Sequence, residues 1–446
     1  MNTPICDFVN EYKNKNAARL HMPGHKGKAL LGFEEYDITE IDGADSLYEA
    51  SGIIKESEDN ASSLFGCKTF YSTEGSSHCI RAMIYLSVIH AKLQGKKPLI
   101  FAGRNAHKAF LTAAALTDCD VTWLYPEKNS SYLSCAVTAE VLEKAICGSV
   151  EKPTAVYLTS PDYLGNTVDI KSISEVCRKY GALLLIDNAH GAYLKFLPQS
   201  HHPIDLGADL CCDSAHKTLP VLTGGAYLHI TPNAPETFSL QAKNALAMFG
   251  STSPSYIIMQ SLDMANRYIS EGYGKKLSAF CNKMQEFKHA LEIHGYALCG
   301  NEPLKITLCA KKHGYYGTEI AEILKKNNVI CEFADPDFTV LMFTPESECD
   351  LEKAKNVLIS IPKKDKIYKD APEFTLPEKA MSARNAVFSP YEVVPVSESC
   401  GRILGAITVG CPPAVPIVVC GEKINASAVK CFEYYGIKNC TVIKER

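Results

Sequence analysis

The stretch Ala182-Leu183-Leu184-Leu185-Ile186-Asp187 places five apolar residues directly before a carboxylate. Such a continuous apolar run is typical of a strand that is covered on both faces, as in a parallel sheet with helices on either side. A carboxylate at the carboxyl end of a buried parallel strand points into the crevice where α/β proteins bind ligands. We therefore predict a strand at Ala182–Asp187 and take Asp187 as a candidate ligand-binding residue.

Helix-like and strand-like segments alternate on both sides of this strand. Helical spacing of apolar residues predicts helices at Ser76–Leu93 and Ile170–Tyr180. Two shorter helices are predicted at His107–Leu116 and Thr138–Ile146. Further strands are predicted at Pro98–Ala102, Val121–Tyr125, Thr154–Thr159, Ala208–Cys212 and Ala226–Ile230. The repeated order of strand and helix predicts an α/β fold with a mainly parallel sheet.

The sequence changes character after about residue 300. Long helices are predicted over Pro254–His294, whereas the later strand-like pieces Lys305–Leu308 and Thr339–Phe343 and the helix Thr318–Lys326 predict a smaller α+β domain. The segment Pro362–Glu378 is rich in Lys, Asp and Pro, which is typical of an exposed linker. We expect an N-terminal arm over 1–45, a large domain over 46–300 and a small domain over 301–446, with a linker at about 362–378.

Composition narrows the class of protein. The chain has 446 residues, 46% of them hydrophobic, and a formal net charge of -4. No basic field is available to collect phosphates, so we expect neither a nucleic-acid partner nor a membrane partner. The segment Met1–Leu20 lacks the apolar core of a signal peptide. The 19 cysteines, an odd number without a C-x-x-C pair, favour reduced thiols in the cytoplasm and no structural metal.

Lys217 is the first candidate for covalent chemistry. It lies in Asp213-Ser214-Ala215-His216-Lys217-Thr218, between two predicted strands. A lysine that captures an aldehyde must lose its proton, and a desolvated pocket suits it better than a solvated surface. Ser214 and His216 are candidates for binding a phosphate beside it. The alternative is a surface lysine in a polar turn.

Asp187 lies thirty residues before this lysine. Pyridoxal phosphate (PLP) needs a carboxylate that keeps its pyridine nitrogen protonated, because the protonated ring absorbs electrons. Asp187 suits that role, although a carboxylate that merely shapes the turn after a strand is the alternative.

Two further turns between strand and helix carry polar side chains. Glu74-Gly75-Ser76-Ser77 precedes a predicted helix, whose first amides offer unpaired donors to a phosphate. An ordinary serine cap is the alternative there. His107, in Arg104-Asn105-Ala106-His107-Lys108, is a candidate for lying flat on a cofactor ring, with a capping role as the alternative. The joint occurrence of all these turns with Lys217 indicates a PLP site.

Together these segments resemble the Orn/Lys/Arg decarboxylase family, which are PLP enzymes of the aspartate-aminotransferase fold, and in particular its short bacterial branch. The resemblance covers nearly the whole chain. The other segments that carry it are His21-Met22-Pro23-Gly24-His25-Lys26-Gly27, Asp37-Ile38-Thr39-Glu40, Gly52-Ile53-Ile54-Lys55-Glu56, Asp187-Asn188-Ala189-His190-Gly191, Gly401-Arg402-Ile403, Pro412-Pro413 and Gly421-Glu422.

The resemblance implies a role for each matching residue. Lys217 would hold PLP as a Schiff base, and Asp187 would pair with the pyridine nitrogen. His107 would stack on the ring, with Ala189 or His190 against its other face. The residues implied in phosphate binding are Gly75, Ser76, Ser77, Ser214 and His216. The arm at Pro23–Lys26 would lie near an active site that is shared across a homodimer or a higher homo-oligomer.

The implied activity is decarboxylation of a basic amino acid, with arginine favoured over lysine and ornithine, which yields carbon dioxide and a polyamine precursor. Lys217 or His216 would return the proton to the α carbon. The candidates for binding the cationic tail of the substrate are Glu392, Glu398 and Asp45. Two alternatives remain open: an aminotransferase or another lyase of this fold, with Arg384 or Arg402 as carboxylate clamp, and a catalytically silent PLP-binding homologue.

The sequence departs from the family pattern at four places. Asn188 stands where the family commonly has Glu, and the acidic residues Glu74 and Asp213 flank the implied phosphate-binding residues. The run Cys411–Pro416 lacks the usual aromatic residue and Gly. His21 and His25 alone would suggest metal ligands, but Pro23-Gly24 between them interrupts a helix, which argues against a zinc-protease motif.

Overall fold

The computed structural model describes residues 1–125, 134–373, 375–407 and 416–445. The run Cys411–Pro416 departs from the family pattern, and its residues 411–415 lie outside this range. The helices of the described residues are α1 Pro4–Asn14, α2 Ile53–Phe65, α3 Ser76–Leu93, α4 Lys108–Thr117, α5 Ala139–Gly148, α6 Ile170–Tyr180, α7 Ala215–Thr218, α8 Glu236–Ala247, α9 Tyr256–Tyr268, α10 Gly274–Ile293, α11 Gly317–Lys326, α12 Glu348–Ser360, α13 Ala383–Val387 and α14 Ala426–Tyr434.

The strands of the same residues are β1 Lys68–Ser72, β2 Leu99–Gly103, β3 Asp120–Leu124, β4 Ala155–Thr159, β5 Leu183–Asp187, β6 Leu210–Asp213, β7 Ala226–Ile230, β8 Leu298–Cys299, β9 Lys305–Cys309, β10 Phe333–Ala334, β11 Phe338–Met342, β12 Glu378–Lys379, β13 Tyr391–Pro395, β14 Glu422–Lys423 and β15 Asn439–Ile443. The chain forms two compact units. The first comprises Met1–Gly95 and Cys177–Leu277, and the second comprises Lys96–Val176 and Ser278–Arg446.

The first unit is built around four strands in the order β1-β7-β6-β5. Strands β5 and β6 run parallel, with Asp187 opposite Cys212, whereas β7 runs antiparallel to both β6 and β1. Leu184, Leu185 and Ile186 of β5 are fully buried, as expected for a strand covered on both faces. The strand predicted at Ala182–Asp187 is therefore confirmed.

Two helices of the first unit contrast in how well they were predicted. Helix α3 begins at Ser76 and ends at Leu93, which matches the prediction residue for residue. Helix α1 was not predicted, because its apolar face is small and includes only Ile5 and Val9 among fully buried side chains. Its first amides, Ile5 N and Cys6 N, each donate to Asp263 Oδ2 at 3.0 Å. A residue distant in sequence thus caps α1.

The second unit contains three parallel strands in the order β4-β2-β3, each followed or preceded by a helix as predicted. A separate antiparallel sheet has the order β10-β11-β9-β8, and it includes both strands predicted after residue 300. A further apolar cluster lies near the C-terminus and includes Leu404, Ile424, Phe432 and Val442. Among the described residues, no helix combines the length and hydropathy that crossing a bilayer requires.

One local prediction needs correction. The sequence interpretation placed Lys217 in a turn between strands, whereas the structure places it in the single helical turn of α7. Strand β6 ends at Asp213, and Ser214 then leads directly into that turn. Because β7 pairs antiparallel with β6, the chain must reverse direction here, and this brings His216 N to Gly225 O at 3.2 Å.

Candidate active site

The amine of Lys217 is the centre of the candidate site in the first unit. Lys217 is half-buried on α7, and its Nζ lies 3.1 Å from Nε2 of His190. His190 is itself only 5% exposed, and it follows β5 by three residues. The loop after β5 and the turn after β6 therefore meet at this amine. The structure brings together two residues that the sequence predicted for one site.

Asp187 is held firmly at the carboxyl end of β5. It is 2% exposed, and its Oδ1 accepts a hydrogen bond from Ala189 N at 3.2 Å. The Cys212 thiol on the neighbouring strand lies 3.6 Å from the same oxygen. The carboxylate does shape the turn, as the alternative interpretation held. Its burial beside the loop that reaches Lys217 is what a ligand-binding role also requires.

The turn before α3 has the features of an anion-binding site. Gly75 adopts φ +73°, a conformation that favours glycine, and its N donates to Gly224 O at 2.7 Å. Ser214 Oγ donates to Ser76 Oγ at 2.7 Å, so hydroxyls from two turns meet at the first residue of the helix. Gly75 occupies the cap position without a side-chain cap, which excludes the ordinary serine cap. Ser77 follows, half-buried, in the first turn.

His216 faces this turn. Its Cε1 lies 3.9 Å from where a Cβ on Gly75 would stand, and its Nδ1 donates to Gly225 O at 2.9 Å. Burial is the main cause that lowers the pKa of His216, and the nearby charge of Lys217 lowers it further. The imidazole is therefore mainly neutral near pH 7, with its proton on Nδ1. That proton is already committed to a backbone carbonyl, which makes His216 a poor proton donor to a substrate.

His107 lies in the second unit at the start of α4. Its Nδ1 accepts a hydrogen bond from Ala109 N at 3.2 Å, so the capping role that was the alternative is present. Arg104, in the same turn, is buried and makes a two-pronged ion pair with Glu422, with Nη1–Oε1 at 2.8 Å and Nη2–Oε2 at 2.6 Å. Two sequence motifs separated by more than 300 residues are thereby joined.

The three candidates for binding a cationic tail differ in how they are engaged. Asp45 accepts backbone hydrogen bonds at the start of α2, for example from Gly52 N at 2.8 Å, and these bonds lower its pKa although burial opposes the shift. Glu392 pairs with Arg402 at 2.6 Å. Glu398 is exposed. The carboxylate of Asp45 thus serves as a helix cap.

Two departures from the family pattern, the acidic residues Glu74 and Asp213, have structural explanations. Glu74 is exposed and accepts a hydrogen bond from Ser251 N at 2.6 Å, so its carboxylate is engaged with the backbone of another segment. Asp213 is fully buried, and its Oδ2 accepts hydrogen bonds from Nε2 of His202 and Nε2 of His229. The sequence patterns did not identify these two histidines as candidate site residues. The signal for His229 was a histidine inside the apolar run 226–230.

The two histidines of the arm have separate partners. His25 Nε2 lies 3.2 Å from Asp37 Oδ2, and His21 Nε2 contacts the hydroxyl of Tyr12. The only group of three potential metal ligands among the described residues is elsewhere, at His202, Cys211 and Asp213. His25 and His21 are thus each engaged with a different side chain of the arm.

Family models match most of the chain. The model described as Orn/Lys/Arg decarboxylase, major domain, matches residues 3–297, and the model of the C-terminal domain of the same family matches residues 363–440. A relative from Bacillus subtilis (strain 168), named arginine decarboxylase, is 28% identical over 95% of this chain and 91% of its own length.

Solved structures show the same fold. The lysine decarboxylase LdcF of Francisella novicida matches with a TM-score of 0.81 at 16% identity, over 99% of this chain and 81% of its own. An alanine–glyoxylate aminotransferase from Nostoc sp. matches with a TM-score of 0.54 at 16% identity, over 69% of this chain and 85% of its own. The predicted fold class, a large domain with a mainly parallel sheet and a smaller C-terminal domain, is confirmed.

Proposed function

Because the chain belongs to the Orn/Lys/Arg decarboxylase family, we propose that it is a PLP-dependent decarboxylase of a basic amino acid. The observation that carries the proposal is the convergence of the Lys217 amine, the buried Asp187 carboxylate and the hydroxyl-lined start of α3 in one unit. Those three features are a nucleophile, an acid and an anion site, which are the groups that PLP requires.

The residues of the first unit fit PLP. A phosphate needs several donors at one point, and the Ser76 and Ser214 hydroxyls lie there together with the first amides of α3. The positive φ of Gly75 would strain any residue that has a Cβ. Because glycine has none, a phosphate can come close to the backbone of this turn. Ser77 and His216 border the same turn. Asp187 would hold the proton on the pyridine nitrogen, with Ala189 or His190 against one face of the ring.

When bound, PLP supplies an electron sink for the bond that breaks at the α carbon of the substrate. The protein supplies positioning and protons. Lys217 Nζ lies 3.1 Å from Nε2 of the buried His190, and it must lose its proton before it can act as a nucleophile. Between the two predicted proton donors, Lys217 is supported better than His216, whose Nδ1 proton is bound to Gly225 O. We therefore assign return of the proton at the α carbon to Lys217.

The aminotransferase alternative requires an arginine that clamps the α-carboxylate of the substrate. Arg384 Nη1 donates to Ala115 O at 3.1 Å and to Leu116 O at 3.2 Å. Arg402 pairs with Glu392 and Glu445. Both candidate guanidinium groups are thus engaged within the second unit, and no specific contact among the described residues favours transamination.

The first test combines a chemical label with a variant. Borohydride reduction of the PLP-loaded protein followed by peptide mapping should place a pyridoxyl group on Lys217. Lys217→Ala should lose both the visible absorbance of bound PLP and turnover, because no other amine replaces the covalent link. A label on a different lysine, or normal decarboxylation by the variant, contradicts the assignment.

The substrate is tested by offering arginine, lysine and ornithine separately and measuring carbon dioxide and the amine product. We propose arginine as the preferred substrate, supported by the Bacillus subtilis relative. Release of keto acid instead of carbon dioxide would favour the aminotransferase, and PLP binding without turnover of any of the three would favour a silent homologue.

We also propose a cytoplasmic homodimer or higher homo-oligomer. The arm exposes apolar side chains that a partner subunit would cover, with Leu20 92%, Leu30 85% and Leu31 77% exposed. Analytical ultracentrifugation of the protein should give a mass of at least twice 48.8 kDa. A monomer at micromolar concentration would refute this part of the proposal.

A further inference from the structure

A buried carboxylate behind the candidate site gathers one amide donor and two imidazole donors, and the Cys211 thiol lies 3.7 Å from its Oδ1. Asp213 is fully buried at the end of β6. Its Oδ1 accepts from Asn188 Nδ2 at 2.7 Å, and its Oδ2 accepts from His202 Nε2 at 3.0 Å and from His229 Nε2 at 3.1 Å. The amide and the two imidazoles come from the loop after β5, from the segment before β6 and from β7. One side chain therefore ties three segments of the first unit together.

The partners of the two imidazoles fix where their protons lie. His202 Nδ1 accepts from Ile204 N at 3.4 Å, so its proton is on Nε2 and points at Asp213. His229 Nδ1 lies 2.9 Å from the Thr69 hydroxyl, and its Nε2 donates to the same carboxylate; burial opposes the charged form of His229, but Asp213 raises its pKa. Burial opposes ionisation, but the two histidines hold the pKa of Asp213 well below its ordinary value. Both oxygens of the Asp213 carboxylate thus have hydrogen-bond donors within the first unit.

The network lies on the opposite side of the strand ends from the PLP-binding residues. Successive side chains of a strand point to opposite faces. Asp187 and Cys212 are register partners whose side chains meet on one face. Asn188 and Asp213, each one residue further on, meet on the other. Asp213 immediately precedes Ser214, just as Asn188 immediately follows Asp187.

We propose that the Asn188–Asp213 hydrogen bond is a positioning device that sets the distance between Asp187 and Ser214, and with it the fit of PLP. The inference rests on the proposed function. The pyridine ring of PLP is rigid and its phosphate is joined to it by a short link, so the two groups that bind these ends must keep their separation within a narrow range. Asp187 ends β5 and Ser214 follows β6, and the hydrogen bond between Asn188 and Asp213 holds these strand ends at one separation.

The same geometry explains why Asn stands at position 188 where the family commonly has Glu. A carboxylate at 188 would face Asp213 Oδ1 at hydrogen-bond distance, and two buried like charges repel strongly. The amide instead supplies the donor that Asp213 needs. Asn188 and Asp213 therefore form a matched pair, in which the amide at position 188 suits the carboxylate at position 213.

Exchange of the two side chains gives a sharp test. Asn188→Asp places two carboxylates in contact. The double variant N188D/D213N restores one amide and one carboxylate, because the amide introduced at position 213 can donate to the carboxylate introduced at position 188, while its carbonyl oxygen accepts from both histidines. Asp213→Asn alone is less informative, because the Asn188 amide can rotate and present Oδ1, which is buried without a hydrogen-bond partner among the described residues.

The measurement is the dissociation constant for PLP, obtained by titrating cofactor-free full-length protein and following visible absorbance, together with the melting temperature of the cofactor-free protein. We expect N188D to bind PLP at least about tenfold more weakly than wild type, as for loss of a hydrogen bond to a charged group. The double variant should recover to within about threefold of wild type. Asn188→Ala, which removes the donor without adding a charge, is measured beside them in case N188D does not fold.

Asp263→Ala is the matched control. Asp263 is another buried carboxylate of the first unit, and it holds the first amides of α1 rather than the strand ends. This variant should lower the melting temperature and leave the dissociation constant for PLP unchanged within about twofold. If Asn188 had only a structural role, the affinity of every variant for PLP would fall in step with its melting temperature.

Three results would overturn the inference: N188D or N188A binding PLP as tightly as wild type, a double variant that fails to recover, or an equal loss of affinity in D263A. If wild-type protein itself binds no PLP, the proposed function fails instead, so the two failures are distinguishable. Recovery of affinity in the exchanged pair, at a melting temperature still below that of wild type, would be the clearest support.

Discussion

The buried ion pair between Arg104 and Glu422 allows a quantitative prediction. Both side chains are 4% exposed, and the guanidinium also donates to Ile417 O at 3.2 Å. Glu422 Oε2 accepts a further hydrogen bond from Val419 N at 2.9 Å. The pair thus fixes the segment before β14 against the turn after β2, within the second unit. Removal of one partner leaves the other charge buried without compensation.

Glu422→Leu should lower the free energy of unfolding by about 3–5 kcal/mol, the usual cost of breaking a buried pair by removing one partner. The double variant R104M/E422L should recover most of that loss, because apolar side chains of similar volume often replace a whole buried pair at little cost. The non-additivity of the two changes is the measured coupling between Arg104 and Glu422.

The single tryptophan makes the assay local. Trp123 lies 5.1 Å from the Arg104 guanidinium, so its fluorescence in a urea titration reports on this part of the second unit. A loss below about 1 kcal/mol in E422L would be typical of an exposed pair and would refute the reasoning. So would a double variant less stable than both single variants.

Two predictions concern pH. Burial raises the pKa of Asp263 to about 6 from an ordinary 3.8, so the folded protein binds more protons than the unfolded chain between these values. The stability contributed by this group should therefore fall as the pH rises from about 4 to about 6, and Asp263→Asn should remove that slope from a series of thermal unfolding curves; an identical slope in the variant would contradict this. A hydrogen bond from the Cys299 thiol lowers the pKa of Cys309 to about 7. Alkylation of Cys309 by iodoacetamide, followed by mass spectrometry, should reach half its maximal rate near that pH, and Cys299→Ala should shift the midpoint upward to at least the ordinary thiol value of roughly 8.5, because burial then raises it; an unchanged midpoint would show that Cys299 is not the cause.

The parts of the fold that sequence predicted well are those determined by neighbouring residues. The apolar run before Asp187 predicted β5, and the helical spacing of apolar residues predicted both ends of α3. In each case the pattern and the burial that it produces lie within one short segment. Helix α1 is the counterexample, because the carboxylate that accepts its first amides is more than 250 residues away.

The candidate site divides in the same way. Lys217, Asp187 and Ser76 were identifiable because each follows or precedes a predictable element, and elements of an α/β fold end at a common edge. His202 and His229 were not, since their significance depends on a carboxylate that both contact only after folding. The role of Asp45 as a cap of α2 likewise depends on a loop conformation, with φ +67°, that no local pattern signals.

The acidic residues beside the proposed phosphate site show why position in sequence is a weak guide to electrostatics. Glu74 and Asp213 are each one residue from a proposed phosphate-binding residue, so the sequence suggested repulsion. In the structure, Glu74 is bound to Ser251 N, and Asp213 points to the opposite face of the sheet, where two imidazoles and an amide satisfy it. A strand reverses the direction of its side chains at every residue. A charge one residue away therefore belongs to a different environment, and here that environment binds the strand ends together.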